Sequence, residues 1–241
     1  RPGRSCHQAL NFLDKMIMRN PVNHVIDADI KGFFDNVDHG WMVRCLEQRI
    51  SDKVLIRYIV RFLKSGIMEE GKLFSSDQGT PQGGIISPVL ANIYLHYALD
   101  LWLEECVKPR SRGWVGIVRY ADDFIICAQY KEEANQILES LHKRMTKFSL
   151  SLSSEKTRII EYGPYADVNA KRRGNRPASF SFLGITHFCD KTCKGKFKVG
   201  RRTENKKLRA KLVEINQWLK SIRNKVPLRE WWPILGAKLA G

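Results

Sequence analysis

The feature that most constrains the fold is a pair of adjacent aspartates between two apolar runs. Residues 115–119 and 124–128 are short segments rich in Val, Ile and Phe, and Tyr120-Ala121-Asp122-Asp123 lies between them. Two such runs around a short break predict a β-hairpin. The hairpin therefore carries two carboxylates, Asp122 and Asp123, at its tip.

A second acidic position lies at the end of another predicted strand, residues 22–30, which contains Asp29. Carboxylates beside apolar strand residues are costly unless a charge offsets them, and Mg²⁺ prefers such oxygens. If this strand lies beside the hairpin, Asp29 and Asp122 can bridge two metals roughly 4 Å apart, as in phosphoryl-transfer sites. The alternative is that these aspartates only cap turns, where Asp is common.

The remaining periodicity indicates an α+β fold, with a mostly antiparallel sheet and helices packed on one face. Residues 163–178, rich in Gly, Pro, Asn and Arg, predict a flexible loop. Further strands are predicted near 157–161, 179–183 and 184–189, and a small hairpin at 66–76. Helices are predicted at 5–18, 40–49, 52–64, 88–107, 131–148 and 206–223, and one that starts near Leu228.

The charge is strongly asymmetric along the chain. The net charge is +16, and residues 171–241 hold 19 basic and 4 acidic residues. A localised basic surface of this size usually binds a polyanion, and the simpler alternative is a solubilising basic tail. No apolar run approaches the roughly 20 residues of a membrane span, and the polar, basic start is unlike a signal peptide.

The six cysteines have no disulfide-scaffold spacing, which predicts free thiols in a reducing compartment. Cys189, Cys193 and nearby His187 fall short of the four ligands of a structural zinc site, so no zinc is expected. Both ends of the sequence are abrupt. We therefore expect the chain to be a piece of a longer protein.

Several blocks resemble reverse transcriptases in the order in which that family has them. Tyr120-Ala121-Asp122-Asp123 resembles the catalytic hairpin, and residues 27–39 (DADIKGFFDNVDH) resemble the first catalytic strand and turn. Residues 78–88 (QGTPQGGIISP) are similar to the loop that contacts nucleotide and template. Residues 152–157 resemble the segment after the next helix. Phe182-Leu183-Gly184 resembles the primer grip.

The residues of these blocks are most similar to those of bacterial group II intron-encoded reverse transcriptases, which also act as maturases. CRISPR- and retron-linked reverse transcriptases remain alternatives. The resemblance implies a polymerase palm. Its parts would be the end of the fingers (1–23), palm with fingers-side helices and a hairpin (24–90), palm with catalytic hairpin and primer grip (91–200), and an incomplete helical thumb (201–241).

The resemblance also implies an activity: RNA-directed DNA polymerisation, in which two Mg²⁺ ions assist transfer from a dNTP to a primer 3′-hydroxyl. The implied partners are an RNA template, a DNA primer and intron RNA, in the cytoplasm of a bacterium. Because the basic residues that precede this region in the family are absent, we expect weak or no polymerase activity from the isolated chain.

Site roles follow from the same resemblance. Asp29 and Asp122 are expected to ligate metal with the Ile30 backbone carbonyl, beside Asp123 as a neighbouring acid. Lys156 is a candidate proton donor to the pyrophosphate leaving group.

Phe34 is expected to be a steric gate that excludes a ribose 2′-hydroxyl, and Gln82 and Gly83 to contact the nucleotide. The implied thumb helix carries basic residues that could follow backbone phosphates. These are Lys207, Arg209, Lys211 and Lys220.

Two other functions stay open. The chain could act mainly as an RNA-binding splicing cofactor without polymerase activity, which would use the same basic surface. An RNA-dependent RNA polymerase shares the palm, but Phe34 argues against it because such an enzyme must admit a 2′-hydroxyl.

Overall fold

The computed structural model describes residues 5–64, 67–69, 72–74, 79, 86–223 and 225–240, and it confirms the α+β fold class. The helices are α1 (Cys6–Arg19), α2 (His39–Glu47), α3 (Lys53–Lys64), α4 (Ser87–Leu95), α5 (Lys131–Lys147), α6 (Ala166–Arg172), α7 (Asn205–Ile222) and α8 (Leu228–Ala240). The strands are β1 (His24–Ala28), β2 (Ile67–Glu69), β3 (Lys72–Phe74), β4 (Val115–Tyr120), β5 (Asp123–Ala128), β6 (Arg158–Glu161), β7 (Phe180–Phe182), β8 (Ile185–Lys191) and β9 (Phe197–Thr203).

The central sheet is antiparallel, in the order β4-β5-β1-β6. Strands β4 and β5 form the predicted hairpin, whose last pair is Tyr120 with Asp123. Strand β1 pairs with both β5 and β6. Residues far apart in sequence therefore meet at the end of β1.

Both faces of this sheet are covered. Ile26, Ala28 and Ile126 face a core that α2, α3, α4 and α5 complete, as expected for helices on one face. The opposite face, with Val25 and Ile125, packs against α1 and against a second sheet of order β7-β8-β9. The sequence predicted helices on one face only, so the packing on this second face was not expected. Strand β9 was also not predicted.

The expected flexible loop at 163–178 is wrong in part, because it contains helix α6. The helix buries Ala166 and Ala170, two small residues one turn apart. Its Asn169 side chain donates to Glu161 Oε1 at 2.6 Å. The sequence prediction missed this helix because its small and polar residues are also typical of a loop.

The expected long helix at 88–107 is not uniform. Helix α4 ends at Leu95, and wider π-helical turns follow at His96–Asp100 and Leu103–Val107. Such turns are frequent at functional sites, and the first one ends at Asp100. The expected boundary at 200/201 also falls inside β9, so the helical C-terminal part starts after Thr203.

The apolar stripe of α7 is exposed toward the N-terminal end of the helix. Ile215 is buried, whereas Leu208 and Leu212 are 44% and 51% exposed. None of the described helices is long and apolar enough to cross a membrane.

Candidate active site

The register of the central sheet determines the neighbours of Asp29. In the pairing of β1 with β5 the last pair is Ala28 with Phe124. The next residue, Asp29, therefore comes to lie beside Asp123. On the other side, the pairing of β1 with β6 brings Lys156 next to Asp29. Three charged groups from three strands or their extensions thus meet at one end of the sheet.

Asp29 is held from two directions. Lys156 Nζ lies 3.0 Å from Asp29 Oδ2, and this pair is solvent-accessible. The backbone N–H of Ser153 donates to the Asp29 carbonyl at 2.8 Å. Ile30 pairs with Leu152 in an isolated antiparallel bridge. The two hydrogen bonds of this bridge are the one from Ser153 to Asp29 and one from the Lys31 N–H to the Ser151 carbonyl, so neither uses the Ile30 carbonyl. Ile30 is thus available for the carbonyl role expected of it.

Asp122 lies in the tip of the β4–β5 hairpin, directly after a residue with an unusual backbone. Ala121 has φ of 55°. This left-handed conformation costs a residue with a Cβ about 1–2 kcal/mol. The conformation turns the chain sharply enough for Asp122 and Asp123 to sit at the end of the sheet beside Asp29.

Arg119 supports this tip, and sequence reasoning missed it. Its guanidinium donates to both carboxylate oxygens of Asp100, at 2.8 and 2.6 Å. Arg119 Nη1 also donates to the Ala121 carbonyl at 2.7 Å and to Asn92 Oδ1 at 3.0 Å. Asn92 in turn donates to the Pro88 carbonyl at 2.8 Å. An arginine one residue before the tyrosine of the motif was the available sequence signal.

Phe34 lies in a 3₁₀ turn, Phe33–Asp35, that follows β1. Its ring contacts that of buried Phe33, with ring centres 5.3 Å apart. Gly79 packs on the same turn, because a Cβ there would lie 2.8 Å from the Phe34 carbonyl oxygen. Gly79 has φ of +91°, so glycine is required there for two independent reasons.

His39 fixes Gly79 in this place. The buried His39 Nε2–H donates to the Gly79 carbonyl at 2.6 Å, and the Gly79 N–H donates to the Val37 carbonyl at 2.9 Å. His39 is the last residue of the block at 27–39, and the motif alone predicted no role for it. Gln82 and Gly83, the expected nucleotide contacts, lie outside the described residues.

The predicted metal ligands and the predicted gate share one cavity of about 640 Å³. Its lining includes Asp29, Ile30, Phe34, Asp122 and Lys156. The structure therefore brings these five together, although they come from three separate segments of the chain. A cavity lined by carboxylates, an ammonium group and an aromatic residue is suited to a small charged ligand.

Asp123 faces a neighbouring cavity of about 430 Å³ with the predicted primer grip. Phe182 and Leu183 line it, and Leu183 and Gly184 form the two-residue turn between β7 and β8. Both turn residues have positive φ, as the tight turn of a β-hairpin requires. The grip and the carboxylates thus border one continuous region.

Charge accumulates around these carboxylates. Desolvation raises the pKa of Asp123, and the negative charges of Asp122 and Asp29 raise it further. The hydrogen bond to Asp29 and its charge raise the pKa of Lys156, so this side chain stays an ammonium at neutral pH. Desolvation also raises the pKa of Asp27, and Arg158, 3.5 Å away, opposes that shift.

Across the described ranges, no group of three or more His, Cys, Asp or Glu side chains is arranged to hold one metal ion. The expected ligand set is smaller, since Mg²⁺ is commonly held by one or two carboxylates together with substrate phosphates and water. Asp29, Asp122 and the Ile30 carbonyl fit such a set. Lys156 supplies the positive charge beside Asp29.

Of the four expected phosphate-contacting residues, one lies close to this site. Lys207 comes near Gly184, and its charge lowers the pKa of Asp123. Lys211 pairs with Glu214 at 3.1 Å on the exposed surface of α7. Arg209 and Lys220 are also exposed on α7.

Comparison with known proteins now decides the family. Residues 1–187 match the family model described as reverse transcriptase (RNA-dependent DNA polymerase). The chain belongs to the reverse transcriptase family. The resemblance predicted from the sequence motifs is thereby confirmed.

Curated relatives of this reverse transcriptase chain include group II intron proteins. It is 33% identical over 177 residues to the group II intron-encoded protein LtrA of Lactococcus lactis, which covers 69% of this chain and 29% of LtrA. It is 28% identical over 196 residues to protein YkfC of Escherichia coli, covering 66% and 50%. The chain therefore spans less than two thirds of these relatives.

A solved structure shows the same fold. Apo telomerase from Candida tropicalis, truncated from its C-terminal domain, matches with a TM-score of 0.55 at 18% identity. The match covers 81% of this chain and 39% of the telomerase chain. At that identity the likeness concerns the fold alone.

Proposed function

We propose that the protein containing this chain is an RNA-directed DNA polymerase of group II intron type. The observation that carries the proposal is the single cavity lined by Asp29, Asp122 and Phe34. Two carboxylates are suited to hold two metal ions for phosphoryl transfer, and an aromatic ring in the same cavity is suited to select the nucleotide.

Each side chain has a separate task in this proposal. Asp29 and Asp122, with the Ile30 carbonyl, would hold two Mg²⁺ ions. When bound, these ions activate the attacking hydroxyl and neutralise charge on the phosphates. Asp123 orients the primer side of the site, next to Phe182 and Leu183.

Lys156 donates a proton to the leaving pyrophosphate. Its ammonium lies 3.0 Å from Asp29 Oδ2 and lines the same cavity as the two carboxylates. A lysine is a better proton source for this step than water, because it is fixed at the edge of the cavity.

Phe34 selects between the deoxyribose and the ribose of the incoming nucleotide. Its ring is held against Phe33, and its backbone is fixed by the contact with Gly79, so the ring cannot withdraw easily from a 2′-hydroxyl. A rigid ring rejects the extra oxygen by steric overlap, whereas a mobile one would adapt. We therefore expect a preference for deoxynucleotides.

The domains are assigned accordingly. We place the end of the fingers at 1–23, the palm at 24–203, and the first thumb helices from Asn205 onward. The template and primer would lie along the carboxylate end of the central sheet, between the cavity and α7. The six cysteines are free thiols, which fits the reducing cytoplasm of a bacterium.

Primer extension tests the proposal. The chain is incubated at high concentration with a DNA primer on an RNA template, Mg²⁺ and either dNTPs or rNTPs, beside Asp122→Asn. We expect weak Mg²⁺-dependent incorporation of dNTPs by the chain alone, stronger incorporation when the flanking protein segments are supplied, and none with Asp122→Asn. RNA binding that survives without any extension, also when the flanking protein segments are supplied, would favour the splicing cofactor instead.

A further inference from the structure

The structure separates the basic charge of the chain into two parts. Residues 171–203 hold ten basic residues and one acidic residue, whereas residues 204–241 hold nine and three. More than half of the +16 charge therefore lies before α7 begins. The basic residues expected to contact phosphates all lie on α7, but residues 171–203, with their turns, carry a net charge of +9.

Five lysines gather where α6 meets the end of the β8–β9 hairpin. Lys171 on α6 and Lys191 at the end of β8 both pair with Asp167, at 3.1 and 2.8 Å. Their ammonium groups thus approach each other although they belong to different elements. We call the surface formed by the following residues the ribbon–helix surface: Lys171, Lys191, Lys194, Lys196 and Lys198.

The positive charge of this surface is only partly neutralised. Lys198 pairs with Asp190 at 3.0 Å. Lys194 and Lys196, in the turn, are exposed and make no ion pair with any residue that the structure describes. Five lysines therefore face two carboxylates, and such unbalanced charge opposes the folded state by self-repulsion.

The surface is separate from the candidate active site. Strand β8 starts at Ile185, next to the turn of the predicted primer grip, and its seven residues end at Lys191. At about 3.3 Å per residue, the surface lies about 20 Å from that turn. A nucleic acid bound there is not held by the same contacts as the primer end.

We propose that the ribbon–helix surface binds a folded RNA segment outside the template–primer duplex. This rests on the proposed function, which gives the protein an RNA partner. Exposed lysines contact phosphates without reading sequence, and a folded RNA presents many phosphates at short spacing. A membrane is a poorer partner, because α6, with seven residues, is too short for an amphipathic anchor.

Replacement of the two unpaired lysines tests this without breaking any ion pair in the described structure. The variant Lys194→Gln/Lys196→Gln is compared with the wild-type chain for binding to an RNA hairpin without primer, by fluorescence anisotropy over a range of KCl. Two lost phosphate contacts reduce the slope of log K against log [salt] by about 1.6 and weaken binding about 20-fold at 0.15 M salt.

A matched control is Lys131→Gln/Lys143→Gln on α5, which removes the same charge elsewhere and leaves both values unchanged. An unchanged slope for Lys194→Gln/Lys196→Gln overturns the proposal. So does an equal loss in both variants, since only net charge would then matter. A variant that loses binding to phosphatidylserine vesicles but keeps RNA binding assigns the surface to lipid.

The two proposals fail separately. Asp122→Asn is expected to keep hairpin binding while it abolishes primer extension. If Asp122→Asn extends primers normally, the proposed function fails and the ribbon–helix surface is unaffected. If Lys194→Gln/Lys196→Gln binds the RNA hairpin as tightly as the wild-type chain while Asp122→Asn abolishes extension, the proposed role of the ribbon–helix surface is refuted and the proposed polymerase function is retained.

Discussion

Replacing Arg119 by lysine should uncouple the catalytic hairpin from the helix that supports it. Arg119 makes four hydrogen bonds, two to Asp100, one to Asn92 and one to Ala121. Lysine keeps the charge, but its single nitrogen can serve only one side of this network. We expect it to stay with Asp100 and to lose the bonds to Asn92 and the tip.

The magnitude follows from those lost bonds. Hydrogen bonds to charged groups contribute about 1.5–3 kcal/mol each, and the Arg119 side chain is only 12% exposed. For two lost bonds at a partly solvated site we expect the free energy of unfolding to fall by about 2–3 kcal/mol. Ala121 then loses the contact that holds its left-handed backbone, and Asp122 moves.

Urea unfolding and single-turnover extension measure the two effects. A shift of Asp122 by about 1 Å lowers kcat about 100-fold. The KM for dNTP should change little, because Arg119 does not line the cavity. As a control, Glu104→Gln breaks the exposed pair with Lys108, and it should cost no more than about 0.5 kcal/mol with kcat unchanged. Normal kcat in folded Arg119→Lys would refute the positioning role.

Three further outcomes are expected. Phe34→Ala should raise rNTP incorporation relative to dNTP in the extension assay, and an unchanged ratio would refute the gate. His39→Leu should raise the KM for dNTP because Gly79 loses its donor, whereas His39→Gln, which retains an N–H, should restore much of it; equal effects would argue against positioning. Burial lowers the pKa of His187 to about 4, so the unfolded state takes up its proton first as pH falls through about 6.5. Urea unfolding should therefore show that the wild-type chain loses about 2 kcal/mol more stability than His187→Gln between pH 7.5 and pH 5.

The sequence was sufficient for what depends on periodicity and on local motifs. The hairpin around Asp122 was predictable because two apolar runs flank a short polar break. The proximity of Asp29 to that hairpin was a hypothesis about sheet order, and the pairing of β1 with β5 bears it out. The first inference uses the local pattern of apolar residues, and the second uses the cost of leaving carboxylates beside apolar strand residues without a counter-charge.

What could not be predicted depends on tertiary contacts. Arg119 gives no periodic signal, since its importance comes from Asp100 in a π-helical turn that local propensity does not indicate. Helix α6 has loop-like composition and is stabilised by packing of Ala166 and Ala170. The division of basic charge between α7 and the ribbon–helix surface required the position of Asp167, which brings Lys171 and Lys191 together.

The central claim is that Asp29 and Asp122, 93 positions apart in the sequence, form one cation site. Binding of Mn²⁺, followed by electron paramagnetic resonance on the folded chain, tests it most directly. We predict that Asp29→Asn and Asp122→Asn each weaken Mn²⁺ binding strongly, and that Asp52→Asn, which alters an exposed carboxylate outside the site, does not. Mn²⁺ affinity that is unchanged in both site variants would contradict the account.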